Sequence, residues 1–82
     1  MPRFFFHTDN GQAFADREGI ELPDMDTARC EAAGLIGGLL SDNPNGLWET
    51  GALSVMVTDQ RGTACFTIVV AGANSPVASS KA

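Results

Sequence analysis

Eighty-two residues, 44% hydrophobic and 18% charged, describe one small globular domain, too apolar for a disordered chain and too short for a second core. The formal net charge is −5, and the basic residues Arg3, Arg17, Arg29, Arg61 and Lys81 are never adjacent, which argues against a phosphate-tracking surface and against nucleic acid as a partner. No apolar run approaches the roughly 20 residues that span a bilayer, and two cysteines are too few for a disulfide framework, so a cytoplasmic protein without a membrane partner is expected.

The chain opens with Arg3-Phe4-Phe5-Phe6-His7-Thr8, an aromatic run between Pro2 and Asp9-Asn10-Gly11, which predicts a strand followed by a turn. The Asn10-Gly11 pair suits a type I′ hairpin with both central residues at positive φ. A second strand is expected to start at Gln12-Ala13-Phe14-Ala15, to be interrupted at Asp16-Arg17-Glu18-Gly19, and to resume at Ile20-Glu21-Leu22. Asp24 then has the position and chemistry of a helix N-cap, with Asp26 in the first turn where the helix dipole favours an anion.

Three- and four-residue spacing of Met25, Ala28, Ala32, Leu35, Ile36, Leu39 and Leu40 predicts a helix to Ser41 with one stripe against a sheet. Asp42-Asn43-Pro44-Asn45-Gly46 is expected to end it, since proline cannot continue a helix and Asn and Gly accept left-handed conformations. A second hairpin follows, with strands Leu53 to Thr58 and Thr63 to Val70 around a turn at Asp59-Gln60-Arg61-Gly62. The fold class expected is therefore α+β, in the order β-β-α-β-β: a four-stranded, mostly antiparallel sheet with one helix packed on one face. The domain is placed at residues 1–72 and a disordered tail at 73–82. Inward side chains are expected at Phe4, Phe6, Leu53, Val55, Val57, Ala64, Phe66, Ile68 and Val70, with the most aromatic strand in the sheet interior.

Residues 2–70 resemble a family of short, mostly alphaproteobacterial proteins, domain of unknown function 6894. The resemblance rests on Pro2-Arg3-Phe4-Phe5-Phe6-His7, the Asp9-Asn10-Gly11 turn, the run Glu18-Gly19-Ile20-Glu21-Leu22-Pro23-Asp24 with Ala28 and Arg29, and Val57-Thr58-Asp59 with Gly62. It implies a fold and a bacterial, cytoplasmic origin, and no activity. The helix departs from the family pattern, with Gly34, Gly37 and Gly38 in place of charged and alanine-rich helix formers.

Candidate chemistry is sparse. His7 is the only histidine, on the strand face opposite Phe4 and Phe6, and no general-base partner or further nitrogen or thiolate ligand accompanies it in the sequence. Asp16, Glu18, Glu21, Asp24 and Asp26 crowd one segment without the ligand spacing of a calcium loop, which favours turn and cap roles over a metal site. Cys30 and Cys65 form no Cys-x-x-Cys pair; they are expected on opposite outer sides of a two-layer domain, layers about 10 Å apart, beyond the roughly 7 Å reach of a disulfide. Gly34-Leu35-Ile36-Gly37-Gly38 lies inside a helix and is no phosphate loop. Trp48 is expected to cap an open end of the core.

No catalytic, cofactor-binding or metal-ligating residue is assigned, and no cofactor is expected. Two readings remain. The first is a non-catalytic interaction or structural module that forms a homodimer or binds another protein. Its interface would use Phe5, Met56 and Val69 on the outer sheet face, or Cys30, Gly34, Gly37 and Gly38 on the outer helix face, and either hairpin edge could pair with a second chain. The second is a small-ligand binder or accessory enzyme subunit using Trp48, His7 and the acidic loop.

Overall fold

Alternating apolar residues set the frame of the sheet. In a computed structural model, which describes residues 1–76, β1 (Arg3–Asp9) buries Phe4 and Phe6 and leaves Phe5 and His7 half-buried on the other face. A short β2 (Ala13–Phe14) pairs with its C-terminal half and an equally short β3 (Ile20–Glu21) with its N-terminal half, both antiparallel and on the same edge. The expected second strand is thus two fragments separated by a loop. After the helices, β4 (Ala52–Thr58) pairs antiparallel with the other edge of β1, Phe5 opposite Thr58 and His7 opposite Met56. The hairpin closes with β5 (Ala64–Ala71), and the sheet order is β2-β1-β4-β5, with β3 beside β2 on the β1 edge. The most aromatic strand is interior, as its composition predicts.

Helix α1 (Met25–Asp42) starts at Asp24, whose Oδ1 accepts from Thr27 N at 2.8 Å and from the Thr27 hydroxyl at 2.7 Å. Ala28, Ala32 and Ile36 are buried against Phe4, Phe6, Leu53, Val55 and Val57, forming the core. The small alanines let the helix lie close to the sheet. Leu35, expected in this stripe, is instead 36% exposed, because the stripe that reaches the sheet is narrow and Ile36 already occupies that turn.

The segment expected to be a loop after α1 holds a second helix, α2 (Pro44–Thr50). Pro44 ends one helix and starts the next: at a first helical position its missing N–H breaks no bond and its fixed φ is already helical. Gly46 accordingly sits within α2, donating to Asn43 O at 3.1 Å; the left-handed residue is Gly51 at φ 87, whose N–H closes the helix on Leu47 O. Leu47 packs on the core from this second helix.

Two turns also differ in detail. Among the described residues no non-glycine residue has positive φ, so the Asn10-Gly11 turn is not type I′; three residues, Asn10 to Gln12, connect Asp9 to its partner Ala13 with Gly11 alone at φ 101. Asp9 Oδ1 accepts from Gly11 N at 2.9 Å, satisfying the loop locally. In the second hairpin a bulge lies between Val57 and Thr58, which pair with Phe66 and Ala64 respectively. The residue left over is Cys65. It packs half-buried against the core instead of pointing outward, and Ala64, expected inward, is exposed. The tail expected at 73–82 lies outside the described residues from residue 77 onward.

Candidate functional site

The sheet face opposite the helices carries Phe5, His7 and Asp9 from β1, Thr58, Met56 and Ser54 opposite them on β4, and Thr67 opposite Met56 on β5. Together with Phe14 and the loop after β2 they line an open groove of about 810 Å³. Its organising residue is Asp16. One carboxylate oxygen, Oδ2, accepts from the main-chain N–H of Phe6 at 3.1 Å; the other, Oδ1, accepts from Glu18 N at 3.0 Å and Gly19 N at 3.2 Å. Its own N–H donates to His7 Nδ1 at 3.1 Å. Burial alone would raise the Asp16 carboxyl, but the N–H groups of Phe6, Gly19 and Glu18, with a smaller contribution from the His7 ring, hold it below the ordinary aspartate value.

Because His7 Nδ1 accepts, the proton of the neutral ring lies on Nε2 and faces Thr58 Oγ1 at 2.9 Å. Thr58 is buried although it belongs to the outer face, since the imidazole covers it. Both ring nitrogens are therefore committed to holding the loop and two strands together. Sequence reasoning left His7 without partners; the one on β4 is 51 residues away, and the one on the loop is a main-chain group that no side-chain pattern announces.

The acids that crowd the sequence are dispersed in space by their tasks. Asp16 ties the loop, Glu21 Oε1 pairs with Arg3 at 3.2 Å, Asp24 caps α1, and Asp26 pairs with Arg29 at 3.0 Å. Among the described residues no three His, Cys, Asp or Glu side chains converge on a point where they could hold a metal ion. Asp24 is held below its ordinary value by the Thr27 hydroxyl and then the Thr27 N–H. The Cys65 thiol is pushed up by burial and by the Asp59 carboxylate, and both cysteines are free.

Of the candidate interface residues, Met56 and Val69 are exposed on the outer sheet face, while Phe5 is half-buried with its ring against Gly19. Cys30, Gly34, Gly37 and Gly38 are exposed on the outer side of α1, the opposite layer, so the structure offers two separate surfaces and does not bring them together. Trp48 is 56% exposed in α2, its ring lying over Gly72 and outside the groove that His7 and Asp16 line. Phe14, which borders the groove and is 73% exposed, was a strand residue in the sequence with nothing to mark it as part of a site.

Fold and site define a two-layer α+β domain whose open sheet face bears a groove braced by one histidine and one aspartate. The chain belongs to the family named domain of unknown function (DUF6894), whose profile matches residues 3–71, from the first residue of β1 to the last of β5. No curated protein and no solved structure matches it. The run Glu18 to Asp24 is a structural motif: Gly19 sits at φ 71, where a Cβ would lie 2.8 Å from Phe4 O, Ile20 and Glu21 form β3, Leu22 packs on the core and Asp24 caps α1.

Proposed function

We propose that the protein is a non-catalytic interaction module that self-associates, working through its surfaces. The observation that carries this reading is the distribution of uncovered apolar area: Met56 and Val69 are 40% and 62% exposed on the outer face of a small sheet whose other face is filled, and Phe14, 73% exposed, borders the groove from the short edge strand β2. The described residues offer this face no layer of their own, and a second protein surface would supply one. Commitment of both His7 nitrogens and of Asp16 to structural bonds supports the absence of catalysis. On the outer side of α1, a Cβ at Gly34, Gly37 or Gly38 would meet nothing within 4 Å, so contacts among the described residues give no reason for these glycines. The acidic charge, the free thiols and the family resemblance support a setting in the bacterial cytoplasm. Light scattering coupled to gel filtration tests the reading: a mass of twice 8.6 kDa is expected, and 8.6 kDa throughout a dilution series overturns it.

A second reading, binding of a small ligand, has the groove volume in its favour. It would have to work through Phe5, Phe14 and Met56, because Trp48 is elsewhere.

A further inference from the structure

The two edges of the sheet are finished differently. Along the free edge of β1, Arg3 and Phe4 pair with β3 and Thr8 and Asp9 with β2, and between them the Phe6 N–H is taken by Asp16 Oδ2. The Arg3 guanidinium adds a bond to Glu18 O at 2.8 Å. That edge is closed and acidic. The other edge is β5, whose eight residues Ala-Cys-Phe-Thr-Ile-Val-Val-Ala include no proline and no charged side chain, with one bulge at its start. From Phe66 to Ala71 it pairs with β4 on one side; on the other, no main-chain group of the described residues hydrogen-bonds to it. Edge strands of soluble proteins are ordinarily guarded by lysine, proline, a bulge or a covering element, because an open row of N–H and C=O groups is a template for a further strand. Past Cys65, β5 carries none of the first three and, among the described residues, pairs with no covering strand.

We propose that β5 binds the β5 of a second copy of this chain, antiparallel, so that two sheets become one. This rests on the self-association reading above and moves the contact from the outer sheet face to the sheet's edge, so that the open faces of two copies become one continuous surface. Three observations select a second copy. From Ala64 to Pro76 the chain has no charged side chain, so this edge offers nothing by which a charged partner strand would be chosen. Four carboxylates, Asp9, Asp16, Glu18 and Glu21, lie at the far edge, so pairing at β5 keeps these four apart in two −5 chains, although Asp59 sits in the β4–β5 turn beside the contact. Apolar area reaches the edge on both faces, with Phe66, Ile68 and Val70 half-buried on the helix side and Val69 exposed on the other, and a like strand continues both. A two-fold axis perpendicular to the sheet sets like faces together. With the bulge at Cys65 as one limit, Ile68 faces its own copy, Phe66 faces Val70, and both helical layers stand on the same side.

The test uses the full chain, combining mass over a dilution series with residue-resolved amide exchange. A two-chain mass is expected, with every amide from Phe66 to Val70 slow to exchange and alternate ones turning fast on dilution, since only alternate N–H groups bond to β4. Val69→Lys and Thr67→Lys, both at exposed positions, should restore the 8.6 kDa mass while keeping a dispersed amide spectrum. A dimer that survives both substitutions, or that is split only by Met56→Lys or Gly34→Glu, overturns the edge contact and leaves self-association standing. A monomer at all concentrations overturns both. Slow β5 amides in a monomer, independent of concentration, would mean that the chain's own residues cover the edge, and would overturn the edge contact.

Discussion

The main-chain N–H of Asp16 donates to His7 Nδ1 at 3.1 Å, and this one bond decides how the imidazole is used. It fixes the proton on Nε2, aims that proton at Thr58 Oγ1, and so joins the loop after β2 to β1 and β4.

His7→Ala should fold but lose stability, by about 1–3 kcal/mol, because a buried threonine hydroxyl and a main-chain N–H lose their partners together. Thr58→Val removes the hydroxyl while keeping the shape. In a double-mutant cycle read by urea denaturation, the two changes should be less than additive. Additivity would show that the two side chains act independently.

Asp16 sets the acid limb of stability. Its carboxyl is held low in the folded protein, so its contribution is fully present above the ordinary aspartate range and fades as pH falls through the lowered folded value. Asp24, lowered by its cap, acts with the same sign. Asp16→Asn places an amide among three N–H donors and should cost about 1–3 kcal/mol at neutral pH. Its stability should also fall less steeply on acidification than that of the parent, as measured by melting temperature against pH. Parallel curves would count against this role.

Two kinds of glycine should respond oppositely to alanine. Gly19→Ala meets Phe4 O at 2.8 Å and a positive φ, and should destabilise by roughly 1–3 kcal/mol. Gly34→Ala, Gly37→Ala and Gly38→Ala find open space within a helix and should each stabilise by roughly 0.8–1 kcal/mol. If β5 is the contact, the three helix variants keep the parent mass; a halved mass would move the contact to α1.

The thiols should react in order. Cys30 is exposed, whereas Cys65 is half-buried with its thiol pushed up by burial and by Asp59. An alkylating reagent at neutral pH should label Cys30 first, as peptide mass mapping would record. Labelling of Cys65 first would contradict the bulge that turns it inward.

What the sequence carried well was local. Asp24 announces its helix because a cap acts within three residues, and the alternation of Phe4, Phe6, Leu53, Val55 and Val57 reads directly as one buried face. Asn43-Pro44-Asn45-Gly46 misled because turn residues and a helix start share their chemistry: Pro44 serves either, and only the packing of Leu47 decides. The bulge at Cys65 has no glycine to mark it and follows from how β4 and β5 meet. The groove was the least legible. Its residues come from β1, β2, β4 and β5, and their union depends on a register that no single segment encodes.

The pairing of Phe6 with Val57 also governs the order in which the molecule can form. A ribosome delivers β1 first, yet the partner along its inner edge comes only after both helices have been made. Until then β2, β3 and the Asp16 loop can shield one side of a triple-phenylalanine strand, and the other side must wait. Closing that long loop is the costly step, whereas α1 and the β4–β5 hairpin need only neighbours. The nascent chain therefore carries its most adhesive strand half-covered through the making of both helices, until Leu53 to Thr58 arrive to cover its inner edge.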